Sequence, residues 1–419
     1  MPPPADGYRL RLAHGTALLL GAVLGPGVLA LPHLAAAAAG PASVIAWAIL
    51  IVVSVPVAVT FAALGARYPD GGGVASFAAR AFGRRTAAAV GWWFYAAVPV
   101  GSLAAATIGA QYVTGGLGGG SVPVVACLLL GSAFAVNYAG LRVSGSLQVA
   151  LAGLLTAMLV TAVAVAAPDT RISNFAPLLP HGTSGIGAAI GVLMFAFVGW
   201  EAVSSLSADF ADPVRHLPRA TAVTLVVVGL LYFGVAVVTI GVLGGAAGHS
   251  PVPLTLLLER GIGPTASRVT ATGAALLTLG VINTYLAGSA RLGAAMARDG
   301  MLPRFLSRGG APGQVPRRSL TVQAAIAGLL TAVSLARPIP LDALMRATSA
   351  CLAAVTVVGL AAAVRLLPQR GWGHRGAVAA ITFTAATLAT CGAFLLMPVL
   401  LGLAAAGYGA RARPVVADS

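Results

Sequence analysis

Of the ten acidic residues in the chain, only Glu201 falls deep inside an apolar run. A carboxylate at bilayer depth costs at least ~2.5 kcal/mol even on insertion scales, so such a residue faces a bundle interior and marks a proton or substrate path. A protonated Glu bonded to helix backbone is the structural alternative. The neighbours Phe197, Gly199 and Trp200 favour the functional one, because a Gly among bulky aromatics is where a helix can open. The histidines (His14, His33, His181, His216, His249 and His374) lie near the ends of apolar runs and form no cluster with carboxylates. Cys127, Cys351 and Cys391 fall within apolar runs. These spacings suggest no metal site, no cofactor, no disulfide framework and no nucleophile paired with a base, so enzyme chemistry is not expected.

A second signal lies near the N-terminus, where Gly21, Gly25, Pro26 and Gly27 interrupt LLLGAVLGPGVLALP about halfway along an apolar run. Pro removes an amide donor and clashes with the preceding turn, while flanking Gly lowers the cost of unwinding. Irregular backbone is not tolerated against lipid, so a break there is buried in protein or lines a cavity. Its free N–H groups suit a carboxylate and its free carbonyls an ammonium or cation. A kink that merely allows close helix packing is the alternative for this segment taken alone.

The elements that must position these residues are helices. The chain of 419 residues is 58% hydrophobic and only 8% charged, with a mean hydropathy of +0.93, which no soluble fold could bury. Stretches such as QVALAGLLTAMLVTAVAVAA are apolar on every face, unlike the alternating strands of a membrane barrel. Gly, Pro and Arg breaks divide the chain into twelve apolar segments, at about 13–38, 42–66, 87–113, 121–140, 144–167, 184–207, 219–244, 267–291, 319–336, 341–366, 375–391 and 393–410. The last two barely hold two crossings, and one tilted helix is the alternative.

Every basic residue is Arg, which together with abundant Ala and Gly points to a GC-rich bacterial genome, and the net charge is +15. That charge does not imply nucleic acid, because the arginines follow the topology. Even-numbered connections and both termini carry 20 of the 25, among them Arg67, Arg80, Arg84, Arg85, Arg298 and Arg365; the odd connections hold only Arg171, Arg260, Arg268, Arg337 and Arg346. The positive-inside rule therefore places both termini in the cytoplasm of a cell whose inner membrane holds the chain, with a short tail at 411–419. The first apolar run, behind Arg9 and Arg11, is too long for a secretory signal, and its removal would reverse this alternation.

The two interrupted segments are the first and the sixth, corresponding members of two five-helix halves. Five is odd, so the halves are inverted, and paired breaks in inverted halves point to a transporter's central site. Four stretches then resemble the amino acid/polyamine/organocation superfamily over about residues 10–410: GAVLGPGVLALP, LGARYPDGGGVASFAARAFG, FAFVGWEAVSSLSADFADPVRHLPRA and SARLGAAMARDGMLP. The pattern at Asp212, Pro213, Arg215, Pro218 and Arg219, and the run ending at Pro303, are the more specific of these. Within the superfamily the wording is most similar to bacterial exporters of methionine and branched-chain amino acids.

The resemblance implies an all-α, LeuT-like architecture in one transmembrane domain: repeat one at about 13–167, repeat two at about 184–366, and two extra helices at about 375–410. It implies substrate between Val23, Leu24, Gly25, Pro26 and Gly27 on one break and Ala196, Phe197, Val198, Gly199 and Trp200 on the other. The α-carboxylate would meet amides near Gly25 and Gly27, the α-ammonium the carbonyls of Ala196, Phe197 and Gly199, and Glu201 would gate or couple a proton. Departures are Pro26 where Ser, Thr or Ala is usual, Ala63 and Ala208 where acids are frequent, and the absence of any Lys to replace a coupling sodium. The expected function is proton-coupled efflux of methionine, leucine, isoleucine and valine. Uptake, exchange of other amino acids or polyamines, and sensing without transport remain open, as does oligomeric state; a channel would show a charged ring or filter loop, and none is visible.

Overall fold

The computed structural model describes residues 10, 12–69, 72–140, 145–197, 199–309, 314–369, 371–389 and 391–411. Arg9, Arg11, Arg142, Arg370, Arg413, Val198 and most of the proposed tail lie outside them.

Chain order begins with α1 (Leu12–Val23) and α2 (Gly27–Ala39), which are one apolar run cut at residues 24–26. The chain turns through Gly40, at φ +59°, into α3 (Ser43–Arg67). A short helix not anticipated from the apolar runs, α4 (Gly73–Phe82), buries Val74, Phe77 and Ala78 on one face and exposes Arg80. The i, i+3, i+4 spacing of those buried residues is that of a surface helix lying on the bundle. It leads into α5 (Arg84–Leu117), α6 (Val122–Tyr138) and α7 (Gly145–Ala166). The second interrupted run gives α8 (Gly182–Leu193), a tight 3₁₀ turn at Met194–Phe197, and the one-turn α9 (Ala202–Ser205).

α10 (Pro213–Leu243) starts where Asp212 accepts a 3.1 Å hydrogen bond from the Arg215 amide and Pro213 takes the first helical position. Its cap and missing donor are what a helix N-terminus needs, which gives the Asp-Pro-x-Arg motif a local physical reason. The peripheral α11 (Pro253–Ile262) precedes α12 (Thr265–Arg298), then α13 (Arg317–Ala336) and α14 (Leu341–Leu366). The last segments are two helices, α15 (Trp372–Ala389) and α16 (Leu396–Arg411), bent by 119° at the break between them.

Every expected apolar segment coincides with helix, and the chain is an all-α, multi-pass membrane protein. Among the described residues, seven helical stretches are long and apolar enough to cross a bilayer, or eight if α15 and α16 form one bent span. The stretch Gly27–Arg67 joins α2 to α3, and Leu12–Val23, Val122–Tyr138 and Gly182–Ala196 are shorter apolar helices. One contiguous core runs through the bundle, and polar pairs bridge its helices: Asn137 with Asn283, Gln323 with Ser289, and the Tyr95 hydroxyl to the Ser319 carbonyl at 3.1 Å. Such pairs satisfy groups that hydrocarbon cannot.

Contacts sort the helix ends into two groups. At one end the Arg365 guanidinium donates to the Ala81 carbonyl at 2.9 Å, the Tyr68 hydroxyl donates to the Leu366 carbonyl at 3.3 Å, and Arg317 sits over the Tyr138 ring. At the opposite end Arg260 faces Asp169 at 4.0 Å, and Arg346 of α14 donates to the Ala188 carbonyl of α8 at 3.1 Å.

Candidate functional site

The break in the first run is a set of lost hydrogen bonds. The Leu24 amide still reaches the Leu20 carbonyl at 2.7 Å, but the Gly25 amide turns to the Val23 carbonyl at 3.0 Å and Pro26 has no amide to give. No helical bond closes across the break from the Gly27 amide, the first donor of α2. A helix start carries unsatisfied donors and the positive end of its dipole, so Gly27 presents an anion-seeking N–H. The Val23 carbonyl is held a second time, by the Tyr232 hydroxyl of α10 at 3.0 Å.

The break in the sixth run lies against the first. Gly199 adopts φ +126°, a conformation side chains rarely take, and a Cβ there would run into the Ala22 carbonyl oxygen and lie 3.0 Å from the Val23 Cα. Glycine is needed at 199 for both reasons. The Gly199 amide donates to Glu201 Oε2 at 3.0 Å, and the Glu201 carbonyl accepts from the Ser204 hydroxyl at 2.5 Å. Glu201 is buried, and among the described residues no cation lies within ion-pair distance of it.

Between the two breaks lies a cavity of about 670 Å³, counting the part open to solvent. Val23, Gly25, Pro26 and Gly27 line it from the first break, Phe195 and Ala196 from the second. One face of α5 completes it with the small residues Ala97, Gly101 and Ala105, spaced four apart, and Val281, Ile282 and Tyr285 of α12 and Thr348 and Leu352 of α14 close the rest. Among the described residues none of the lining side chains is charged; the polar ones are the hydroxyls of Ser102, Tyr232, Tyr285 and Thr348. An apolar pocket with a few convergent polar groups is the usual form of a small-molecule site.

A second cavity, of about 1220 Å³ including its open part, is lined by Leu24, Glu201, Ser205, Thr284 and Gln148. It shares Ala22, Gly25, Phe94, Val281 and Tyr285 with the central one. The Phe94 and Tyr285 rings, with centroids 6.4 Å apart, stand where the two meet.

The structure thus brings Val23, Gly25, Pro26, Gly27 and Ala196 to the central cavity, and puts Leu24 and Glu201 on the adjoining one. Gly199 is the contact between the breaks and lines neither. Trp200 is fully buried but turns away, into a side pocket between α3 and α10. Phe197 closes the 3₁₀ turn with its backbone, and Val198 is outside the described residues. The α5, α12 and α14 linings carried no sequence signal of their own; the four-residue spacing of Ala97, Gly101 and Ala105 was the trace that was there. Among the described residues no three His, Cys, Asp or Glu side chains come together as a metal site.

The family model described as amino acid permease matches residues 12–408. The chain belongs to that family. This permease is 33% identical over 397 residues to an uncharacterized amino acid permease of Bacillus subtilis (strain 168), covering 94% of this chain and 93% of that one. It is 34% identical over 374 residues to the L-methionine/branched-chain amino acid exporter of Escherichia coli (strain K12), covering 86% and 87%. A branched-chain amino acid permease of Bacillus subtilis (strain 168) is 27% identical over 316 residues, covering 70% and 68%. The permease family sits within the amino acid/polyamine/organocation superfamily whose motifs the sequence carries.

Proposed function

We propose that this permease is a secondary transporter of small neutral amino acids, methionine, leucine, isoleucine and valine, which bind in the cavity between the two breaks. The observation that carries this reading is the lining itself: a free Gly27 amide at one wall, backbone of the second break at another, and no charged side chain among the described residues that line it. The amide receives the α-carboxylate, the carbonyls around Ala196 receive the α-ammonium, and the apolar walls receive the side chain. Burying an unpaired charge is costly, so a charged substrate side chain finds no partner. Glu201, beside the cavity and with no cation within ion-pair distance among the described residues, exchanges the coupling proton.

In this reading the chain crosses the bacterial inner membrane twelve times, as two inverted five-helix repeats and two further helices, with both termini in the cytoplasm. The direction is export, supported by the name of the Escherichia coli relative. Uptake of the same amino acids is the second reading, supported by the branched-chain permease among the relatives. Counterflow of labelled leucine in proteoliposomes, with a panel of unlabelled amino acids and with or without a pH gradient, tests all of this. Methionine, isoleucine and valine compete, and a pH gradient drives net flux. Strong inhibition by arginine, or no counterflow with any neutral amino acid, overturns the assignment.

A further inference from the structure

A third pocket, of about 400 Å³ including its open part, lies between α3 and α10 on the far side of the second break. Ala196 and Tyr232 line both this pocket and the central cavity, so the wall between them is one residue thick. Its rim is continuous with the surface that a multi-pass protein turns to lipid: Val55 on the rim is 46% exposed, and the neighbouring Leu230 is 71% exposed. Gly229 sits on this rim, and a Cβ there would lie 3.2 Å from the Ile51 Cγ2 of the facing helix. The missing side chain is what keeps the mouth between the two helices open.

The walls suit one kind of occupant. Leu50, Leu225 and Val228 are apolar, and both hydroxyls are already spent, Ser54 on the Leu50 carbonyl at 3.0 Å and Tyr232 on the Val23 carbonyl at 3.0 Å. Water or a polar solute needs several partners and would find almost none. The remaining polar groups are the indole N–H groups of Trp47 and Trp200, and that of Trp47, which is 1% exposed, has no acceptor among the described residues. Trp47 lies near the start of α3 and Val55 eight residues on, so the lining extends about 12 Å along the helix.

We infer that this pocket is a site for the hydrocarbon chain of a membrane lipid, entering between α3 and α10 at Gly229, with the lipid's acceptor end toward Trp47. The chain packs on Ala196 and Trp200 from outside, opposite the amino acid. The inference does not depend on which amino acid is carried.

The test reconstitutes the full chain with a phospholipid carrying a diazirine in mid-chain, followed by illumination and peptide mapping. Label concentrates on residues 47–55 and 225–232. Gly229→Phe fills the mouth and removes that label, and Leu225→Trp fills the same space should Gly229→Phe fail to insert. Leu230→Phe, exposed but outside the pocket, leaves the label in place. Label spread evenly over exposed helices, or persisting in both filled variants, overturns the site. Displacement of the label by leucine overturns it too, because the pocket would then belong to the substrate route.

Discussion

The backbone amide of Gly199 donates to Glu201 Oε2 at 3.0 Å, so the buried carboxyl is turned back onto the break that precedes it. Gly199 in turn presses on Ala22 and Val23 at the end of α1. A change in the charge of Glu201 therefore acts on a contact that joins the two interrupted runs, with no intermediary side chain. The carboxylate form strengthens the bond from Gly199, since hydrogen bonds to an ionised acceptor are roughly twice as strong as neutral ones. Protonation loosens it, and with it the seam between the breaks.

This coupling predicts the behaviour of Glu201→Gln. The amide oxygen of Gln still accepts from Gly199, so the break keeps its geometry and leucine still binds, but the side chain is fixed in a neutral form. Leucine counterflow in the variant loses its dependence on pH, while displacement of bound leucine follows the wild-type curve. A pH profile unchanged from wild type returns Glu201 to a purely structural role.

At the first break, a Cβ on Gly27 would sit 2.8 Å from the Phe195 Cδ1 across the cavity. Gly27→Val adds two further methyl groups at that point and stiffens the backbone that presents the amide. Transport is lost while the protein still inserts and purifies as a folded species. Gly27→Ala, with the smaller clash, keeps measurable flux at reduced apparent affinity; full activity in Gly27→Val would remove the amide from the site.

Both breaks and the buried acid were legible because Pro26, Gly25, Gly199 and Glu201 violate what an apolar helix otherwise requires. The third, eighth and tenth apolar segments gave no such sign. A helix that is apolar on every side has no periodicity from which to read its inner face, so Gly101, Tyr285 and Thr348 could be placed in the cavity only by packing. Trp200 illustrates the same limit inside the break, where the turn at Gly199 rather than helical spacing decides which way the ring points. The surface helix α4 was readable in principle from Val74, Phe77 and Ala78, but its apolar face is too short to stand out among membrane-length runs.

Tyr232 gives a prediction on the outer wall of the same site. Its hydroxyl donates to the Val23 carbonyl at 3.0 Å, and that carbonyl also accepts from the Gly25 amide. Tyr232→Phe leaves the carbonyl with one partner and costs about 0.5–1.5 kcal/mol. The last residue of α1 is then held less firmly. Half-saturation for leucine in counterflow rises by a few fold, with little change in the maximal rate. An equal fall in rate at every leucine concentration would instead show that the bond matters to turnover alone.

The proposed site predicts that side-chain selectivity is set where α5 meets α14. A Cβ on Gly101 would lie 3.0 Å from the Thr348 Cγ2, and Thr348 cannot easily rotate away because its hydroxyl is bonded to the Leu344 carbonyl at 2.9 Å. Both residues line the central cavity. Gly101→Ala thus narrows the space available to the substrate, while the helix itself gains from losing a glycine by about 1 kcal/mol, so the variant folds. One methylene in an apolar pocket is worth about 1–3 kcal/mol, and competition by leucine and methionine falls roughly tenfold relative to valine. Thr348→Ser removes the Cγ2 that the new methyl meets and keeps the hydroxyl. The double variant Gly101→Ala, Thr348→Ser then carries one methyl moved from one wall to the other, and the wild-type order of competitors returns. Selectivity unaltered in the single variant, or unrestored in the double, would place the substrate side chain away from this wall.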